Sequence, residues 1–348
     1  MLHLSVPSQD TQRILSLLKA EKALPEGARV QLDPTDETRR LIPFIGQIST
    51  QELTQFAVID VEAKPSPART YRDHLPSLLD SQIVESIEWP TRHEFVGDLI
   101  LIKLDENQRK YGSEIGDALL TQHARTRAVF EDRGVKGTFR VRDLKLLAVK
   151  EGEDPTTRTT IIEGGHRLET DPSKVYFSTR LSHEREGTIE CATKLRESRG
   201  RPLAICDPYA GVGPSILPLI TVPGLVGELF VSDLNPSAVD LLRDNIDFPS
   251  ATIECADARE LKNRPEMCNK FDLLLVNIPH DSLEHLSSLT PLVKERGIVR
   301  GWAVIEDEDF ENAKEHLKEI FDNTYTIEVR RSYSATANLC RFEGQITL

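Results

Sequence analysis

Four apolar runs in the second half of the sequence each lead to a side chain that can hydrogen-bond or exchange a proton: Asp207, Asp233, Asp257 and Asn277. Runs of this kind predict strands of a parallel sheet that are buried on both faces. The carboxyl ends of parallel strands meet at one edge, so we expect the four side chains to share a rim where a nucleotide-like ligand binds. The segments concerned are Leu203–Cys206, Gly227–Asp233, Ala251–Asp257 and Phe271–Pro279.

A loop with two glycines, Gly211 and Gly213, follows the first of these acids. Glycine permits positive φ and lets a ligand approach the backbone closely, as in a strand–turn–helix nucleotide site. The loop is not the Gly-x-Gly-x-x-Gly of dinucleotide enzymes, because Ser215 and Ile216 follow Pro214. A tight turn needs glycine with or without a ligand, and each acid could only cap the next helix. The four strand ends taken together favour a ligand site.

The length and composition of the chain indicate several domains. A chain of 348 residues exceeds one ordinary core, and 39% hydrophobic residues is the content of a globular protein. The proline-rich segment Glu62–Arg69 reads as a linker. We therefore predict a small N-terminal α/β domain (1–62), a mixed α/β middle domain (70–174) and a Rossmann-like domain (175–348).

Several classes of protein are disfavoured. No apolar stretch is long enough to cross a bilayer and no signal peptide is recognisable, so a cytoplasmic location is expected. The 5 cysteines are scattered without a Cys-x-x-Cys pair, so neither a disulfide framework nor a metal site is predicted. Nothing in the sequence implies a protein partner.

The middle region combines a β pattern with positive charge. We expect strands over 94–104, 127–130, 137–148 and 174–178, and a helix over 114–124. The formal net charge of the chain is −13, which argues against a polyanionic partner. Nevertheless, the segment 121–150 carries eight Lys or Arg against three acids. Such a segment is either a local phosphate-binding surface or a solvated face.

An ordered set of motifs resembles the archaeal and eukaryotic tRNA (guanine-N1)-methyltransferase family, a class I family that uses S-adenosylmethionine. The resemblance covers roughly residue 95 to the end. It implies methyl transfer to guanosine 37, beside the anticodon, with the anticodon loop and body of tRNA as partner. The motifs are Gly137-Thr-Phe-Arg140, Thr160-Ile-Ile-Glu-Gly-Gly165, Asp171-Pro-Ser-Lys-Val-Tyr-Phe-Ser-Thr-Arg-Leu-Ser-His-Glu-Arg185, Asp207-Pro-Tyr-Ala-Gly-Val-Gly-Pro214, Asp233-Leu-Asn-Pro236 and Asn277-Ile-Pro279.

The resemblance also assigns roles to residues. Guanine N1 carries a proton at neutral pH, so methylation needs a base and a positive group near O6. By resemblance Glu184 is the base and Arg140 the positive group, with Arg142 as the alternative. Asn277 offers an amide to the purine or the methyl donor. The remaining residues expected at the S-adenosylmethionine site are Arg185, Asp207, Tyr209, Gly211, Asp233, Leu234, Asp257 and Ala258.

Two alternatives remain open. Wyosine-pathway transferases share the scaffold and either transfer the aminocarboxypropyl arm of the same cofactor or methylate a carbon of a wyosine precursor. Arg180-Leu181-Ser-His-Glu184 favours methyl transfer over transfer of the aminocarboxypropyl arm. The second alternative is a tRNA-binding protein with a decayed site, against which the polar residues at the strand ends argue. Taken without the resemblance, Glu184 is a surface acid paired with Arg180 or Arg185.

Overall fold

The computed structural model describes residues 1–25, 27, 29–61, 68–177 and 182–347. By its internal contacts the chain divides into two compact units, Met1–His74 and Leu75–Leu348. Residues 62–67 of the expected linker, together with Arg180 and Leu181, lie outside the described residues.

The first unit is an antiparallel sheet with helices. Its strands are β1 (Leu2–Pro7), β2 (Gln31–Asp33), β3 (Asp36–Pro43) and β4 (Ala57–Asp60), in the order β2-β3-β1-β4. Helix α1 (Thr11–Ala20) places Ile14 and Leu18 one turn apart, and both are buried in a core with Leu4 and Ile42. Helix α2 (Gln51–Thr54) precedes β4. The 3-10 helix Tyr71–Ser77 begins in the last four residues of the unit.

The second unit begins with a four-stranded sheet. Its strands are β5 (His93–Val96), β6 (Leu99–Ile102), β7 (Ala128–Lys136) and β8 (Val141–Val149), and its helices are α3 (Ser81–Ser86), α4 (Glu106–Arg109) and α5 (Gly112–Gln122). The expectation of one strand over 94–104 is wrong, because the chain reverses at Gly97 into a hairpin. Gly97 has φ +60°, and a Cβ there would lie 2.1 Å from Oγ1 of Thr159, so glycine is required at this turn.

A short hairpin of β9 (Thr159–Glu163) and β10 (His166–Thr170) follows. The strand expected over 174–178 is also wrong for its described part, since Lys174–Phe177 lies in a turn and irregular backbone. Two backbone N–H groups in this turn, those of Lys174 and Val175, donate to the carbonyl of Asp171. A turn satisfies these donors locally, so the chain needs no strand partner here.

A seven-stranded sheet fills the rest of the unit, in the order β13-β12-β11-β14-β15-β17-β16. The pairs from β13 to β15 are parallel, and β17 pairs antiparallel with both neighbours. The strands are β11 (Leu203–Asp207), β12 (Val226–Asp233), β13 (Ala251–Cys255), β14 (Phe271–Val276), β15 (Val293–Glu306), β16 (Tyr325–Ser332) and β17 (Ala337–Gln345). The helices are α6 (Ser182–Arg199), α7 (Leu217–Ile220), α8 (Pro236–Asn245), α9 (Ser282–Leu289) and α10 (Phe310–Phe321), with 3-10 helices at Ala258–Asn263, Pro265–Met267, Thr290–Leu292 and Asp307–Asp309.

Helices cover both faces of this sheet. Strand β14 is buried throughout: Phe271, Leu274 and Val276 belong to one core, while Leu273 and Leu275 belong to the other. An apolar run without polar alternation is what a central parallel strand requires, and it explains why the sequence predicts β11 to β14 well. The strand order reverses direction between β11 and β14, and this is the place where open α/β sheets bind ligands.

The predicted fold class is confirmed: a Rossmann-like sheet is preceded by mixed α/β structure and a small N-terminal α/β sheet. The division at 62, 70 and 174 stays a prediction, although each of the three predicted segments contains a sheet of its own.

Candidate functional site

A cavity of about 400 Å³ opens at the carboxyl ends of β11, β12 and β14. Most of the side chains that the sequence singles out contribute to its wall, although they come from strands far apart in the chain. Those lining it are Arg140, Arg185, Tyr209, Gly211, Asp233, Leu234, Asp257, Ala258 and Asn277. Asp207 and Glu184 do not contribute to the described lining.

The glycine loop after β11 gives the cavity a wall of backbone. Gly211 has φ +55°, and a Cβ built there would meet no atom within 4 Å, so the space beside it is open to a ligand. Gly213 has φ +91°, and its Cβ would lie 2.9 Å from a methyl group of Leu242 in α8. Gly211 therefore leaves room in the cavity, whereas Gly213 lets the loop pack on the next helix.

Asp233, at the end of β12, is fixed by this loop. One carboxylate oxygen accepts a 2.9 Å hydrogen bond from the N–H of Gly211, and the other accepts one of the same length from the N–H of Asn235. Burial raises the pKa of Asp233. An oriented carboxylate at this position suits the hydroxyls of a ribose.

Asp207 lies behind the cavity wall and is 1% exposed. Its carboxylate accepts a 3.1 Å hydrogen bond from the N–H of Tyr209. Burial raises the pKa of Asp207 to about 7, an effect that the negative charge of Asp233 reinforces. The sequence places Asp207 among the cofactor-binding residues, but in this structure it supports the loop from behind.

Asp257 and Tyr209 occupy another part of the wall. Asp257 accepts hydrogen bonds from the backbone N–H and from two guanidinium nitrogens of Arg259, and these bonds lower its pKa. It thus caps the 3-10 helix Ala258–Asn263 and also faces the cavity. The Tyr209 hydroxyl lies 2.7 Å from Nδ1 of His285, so a ligand would meet a ring held in place.

Arg185, in the first turn of α6, lines the cavity and is almost completely buried. It forms an ion pair with Glu163 at the end of β9, and its guanidinium lies 5.6 Å from the ring of Phe177. Burial lowers the pKa of Arg185. These contacts attach the β9–β10 hairpin to the cavity wall.

Glu184, adjacent to Arg185, points into a different environment. Its carboxylate accepts hydrogen bonds from Nε1 of Trp302 at 3.0 Å and from Nε of Arg330 at 2.6 Å, and Arg341 lies 3.7 Å away. Burial alone would raise the pKa of Glu184, but these partners outweigh it and lower the pKa. The pairing with Arg185 that the sequence suggests is not formed, and the pairing with Arg180 falls outside the described residues. The role of Glu184 as a base stays a prediction.

The two candidate arginines differ in their surroundings. Arg140 is exposed in the turn before β8, lines the cavity, and forms no ion pair with any described residue. Arg142 is bound by Glu94 at 2.8 Å and by Asp132 at 3.1 Å. Arg140 also contributes to a neighbouring cavity of about 380 Å³ that Arg142 lines. The geometry therefore favours Arg140 as the arginine available to a substrate.

Four of the eight Lys and Arg side chains in the basic segment 121–150 form ion pairs with neighbouring acids. Arg127 is only 10% exposed, pairs with Asp98 at 2.9 Å and donates to three backbone carbonyls. Lys136 pairs with Asp143 at 2.6 Å, and Arg133 with Glu131 at 3.1 Å. The charge count alone thus overstates the positive surface of this segment.

Some side chains of the wall were not anticipated from the sequence. His280 follows the Asn277-Ile-Pro279 motif, and its Nε2 lies 3.1 Å from the hydroxyl of Tyr333. Tyr176, 64% exposed, and Arg331 also line the cavity. The sequence shows Arg331 in an Arg-Arg pair and Tyr176 in an aromatic pair. Only the fold shows that both side chains line this cavity.

The described part of the chain holds no group of three or more His, Cys, Asp or Glu arranged to bind a metal ion. None of its helices combines the length and the apolar character needed to cross a membrane.

Two family profiles match this chain. The profile of the TRM5/TYW2 methyltransferase domain matches residues 159–330, and that of the TYW2 N-terminal domain matches residues 71–155. Residues 159–330 form a TRM5/TYW2 methyltransferase domain. The predicted recognition is therefore confirmed, and most of the residues that line the cavity lie in the segments that the two profiles match.

Individual relatives agree with this family assignment. The chain is 32% identical over 206 residues to tRNA (guanine(37)-N(1))-methyltransferase Trm5b of Pyrococcus abyssi, covering 57% of this chain and 56% of the relative. It is 25% identical over 287 residues to the tRNA (guanine(37)-N(1))-methyltransferase of Entamoeba histolytica, covering 81% and 72%. The aligned part thus spans little more than half of the Pyrococcus protein.

The fold of the chain also resembles a solved structure described as the complex structure of aTrm5 and tRNALeu. The TM-score is 0.71 at 22% identity, and the match covers 100% of both chains. At this identity the likeness supports the fold alone.

Proposed function

We propose that this protein is an enzyme that transfers the methyl group of S-adenosylmethionine to N1 of guanosine 37 in a tRNA. The observation that carries the proposal is one cavity that brings together a glycine loop, Asp233, Asn277 and Arg140, an arginine without an ion pair among the described residues. The family relationship, and relatives named tRNA (guanine(37)-N(1))-methyltransferases, support the same reaction. A cytoplasmic location is part of the proposal.

The cavity fits a nucleoside-containing cofactor. Its volume falls in the range of small-molecule sites, and the open space beside Gly211 admits a ligand to the loop backbone. Asp233 would bind the ribose hydroxyls, Asp257 and Ala258 the adenine edge, and Tyr209 and Leu234 the apolar parts of the ligand. S-adenosylmethionine supplies an activated methyl group when bound.

The residues of the chain would then deal with the proton and the charge on guanine. Arg140 would place a guanidinium near O6, where electron density collects as the N1 proton leaves. Asn277 would hold the purine edge through its amide. Glu184 would accept the N1 proton, and to do so its carboxylate, which lies outside the described cavity lining and is bound by Arg330, would have to turn toward the substrate.

The partner is tRNA, and the target base would have to leave its stack to reach the cavity. RNA is usually read through splayed single-stranded bases and through shape, so a flipped base of the anticodon loop is a suitable substrate. The N-terminal unit, residues 1–74, would contact the tRNA body.

The test is nucleoside mass spectrometry on a tRNA transcript with guanosine 37, incubated with labelled S-adenosylmethionine. Wild-type protein should form 1-methylguanosine, and Glu184→Gln should reduce the rate by about 10²–10⁴-fold, the usual contribution of a general base. Glu186→Gln is the matched control, because Glu186 lies on the same helix but is exposed and pairs with His183.

Other products would identify the alternatives. Transfer of an aminocarboxypropyl group would indicate a wyosine-pathway enzyme on the same scaffold. Binding of tRNA without any transfer would indicate a binding protein. Equal activity of Glu184→Gln and wild type would remove Glu184 from the mechanism while leaving the reaction in place.

A further inference from the structure

The wall of the cavity contains few cations that are available to a phosphate. Arg185 is paired with Glu163, and Arg259 is held by Asp257 through two hydrogen bonds. Among the described residues that line the cavity, Arg140 and Arg331 are the arginines without an ion pair. On a chain of net charge −13, such cations determine where a polyanion can approach.

Arg331 reaches the cavity because of an irregularity in β16. The pairing of β16 with β17 shifts register between Val329 and Arg331, as a β-bulge does. Arg330, the extra residue, turns to Glu184, and Arg331 is exposed and lines the cavity. The bulge therefore gives two adjacent arginines different surroundings.

Tyr333, two residues further, is 47% exposed at the same rim. Its ring meets that of His280 edge-on, with centroids 5.5 Å apart, and the two side chains are hydrogen-bonded. The backbone N–H of Tyr333 donates to Ala337 at 2.8 Å, and Ser334 Oγ accepts two further N–H bonds of the turn. An exposed aromatic ring is thus held rigidly beside the available guanidinium of Arg331.

The position of Tyr333 relative to Asn277 is also defined. His280 comes three residues after Asn277, and the carbonyl of Pro279 between them accepts a 2.7 Å bond from the N–H of Val304. Tyr333 is therefore tied to the loop that carries Asn277. A base bound at Asn277 would leave the next nucleotide of its strand outside the cavity, beside this rim.

We propose that Arg331 and Tyr333 form a second nucleotide subsite, in which Tyr333 stacks on the base next to the target guanosine and Arg331 binds a phosphate of that nucleotide. Aromatic stacking and an arginine–phosphate contact are the usual means of holding single-stranded RNA. The subsite rests on the proposed function, because it assumes an RNA strand that enters the cavity by one nucleotide.

The first experiment measures kcat/KM for the tRNA transcript at several salt concentrations. Arg331→Gln should lower the slope of log kcat/KM against log salt concentration by about 0.7, the loss of one single-strand phosphate contact. Arg296→Gln is the control, because Arg296 is exposed and lies in β15 at the opposite end from the cavity. A slope of Arg331→Gln equal to that of wild type overturns the phosphate contact, whatever happens to kcat.

The second experiment removes the base instead of the side chain. Two anticodon stem–loops are made, one with an abasic nucleotide before the target and one with an abasic nucleotide after it. With wild type, one of the two should lose about tenfold in kcat/KM, as expected for one base–aromatic stack. Tyr333→Leu should show this loss with the intact RNA and no further loss with the abasic one. Tyr333→Phe, which keeps the ring but not the bond to His280, should behave as wild type.

The outcomes separate the two proposals. If Tyr333→Leu and wild type lose equally with each abasic RNA, the stacking subsite is wrong while methyl transfer stands. A wild-type protein that transfers no methyl group to the transcript overturns both.

Discussion

Arg330 Nε lies 2.6 Å from Oε1 of Glu184, joining edge strand β16 to the first turn of helix α6. The other carboxylate oxygen of Glu184 is held by Trp302 at 3.0 Å. Two hydrogen-bond donors and a second arginine nearby stabilise the charged form of this carboxylate. A general base must be in its charged, deprotonated form before it reacts. The same contacts weaken it as a proton acceptor, so a role of Glu184 as the base would require the substrate to compete with Arg330.

Replacing Arg330 by Gln should raise the pKa of Glu184, because a hydrogen bond and a positive charge that lower it are removed. The acid limb of the pH profile of kcat/KM should move to higher pH. The control is Glu328→Gln, which removes a negative charge paired with Arg330 and Arg341 and so should not move the acid limb to higher pH. An acid limb that stays in place in Arg330→Gln would show that this limb does not report Glu184.

Stability offers a second readout of the same contact. The pKa of Glu184 in the folded protein lies below its ordinary value of 4.5, so the ion pair stabilises the fold above that pH. This contribution is lost as the pH falls through the lowered pKa. Acid unfolding of Arg330→Gln should therefore be less steep than that of wild type in this range.

Substitutions of Arg140 and Arg142 should have different effects, the first on catalysis and the second on stability. Arg140→Gln should reduce kcat by about 10²–10³-fold, as loss of a donor to a developing oxyanion does, with little change in stability. Arg142→Gln leaves Asp132 and Glu94 without their partner, so the free energy of unfolding should fall by about 1–3 kcal/mol. Single-turnover rates and denaturant titrations of both variants provide the comparison. The reverse pattern would assign the catalytic role to Arg142.

Asp207 should make the protein less stable as the pH rises. Its pKa in the folded protein, about 7, lies above the ordinary value of 3.8, so the folded state holds this proton more tightly than the unfolded chain. The stabilisation is complete below about 4 and is lost as the pH rises to about 7. Asp207→Asn keeps an acceptor for Tyr209 and should gain stability relative to wild type between about pH 5 and 8.

Asp272 provides a control of opposite sign for thermal unfolding over the same pH range. It is also buried, but bonds from Arg201 and from the N–H of Ala204 overcome the effect of burial and lower its pKa. Asp272→Asn should therefore lose most stability at neutral pH and least in acid. Parallel pH curves for wild type and Asp207→Asn would contradict the raised pKa of Asp207.

The sequence predicts the parts of the site that local patterns encode. Apolar runs identify β11 to β14, and the carboxyl end of each strand follows from its direction, so the residue pattern alone places Asp233 and Asn277 at one rim. The glycine loop adds Gly211 to the same rim. These elements need no knowledge of distant contacts.

Contacts between distant segments could not be predicted in this way. Trp302 and Arg330 reach Glu184 across 118 and 146 residues, and neither sits in a motif that suggests a partner. Tyr333 and His280 meet because β14 and β16 end at the same edge of the sheet. The hairpin at Gly97 did have a local signal, the Gly97-Asp98 pair inside an apolar run, which is a common turn composition.

The order β15-β17-β16 has a consequence for synthesis on the ribosome. Strand β16 emerges before β17, the strand that separates it from β15 and provides its backbone partners. Until β17 inserts, Arg330 has no sheet to hold it against Glu184, while β11 to β14 can already associate. The nascent chain therefore forms the rim of Asp233 and Asn277 first and the ion pair between Glu184 and Arg330 last.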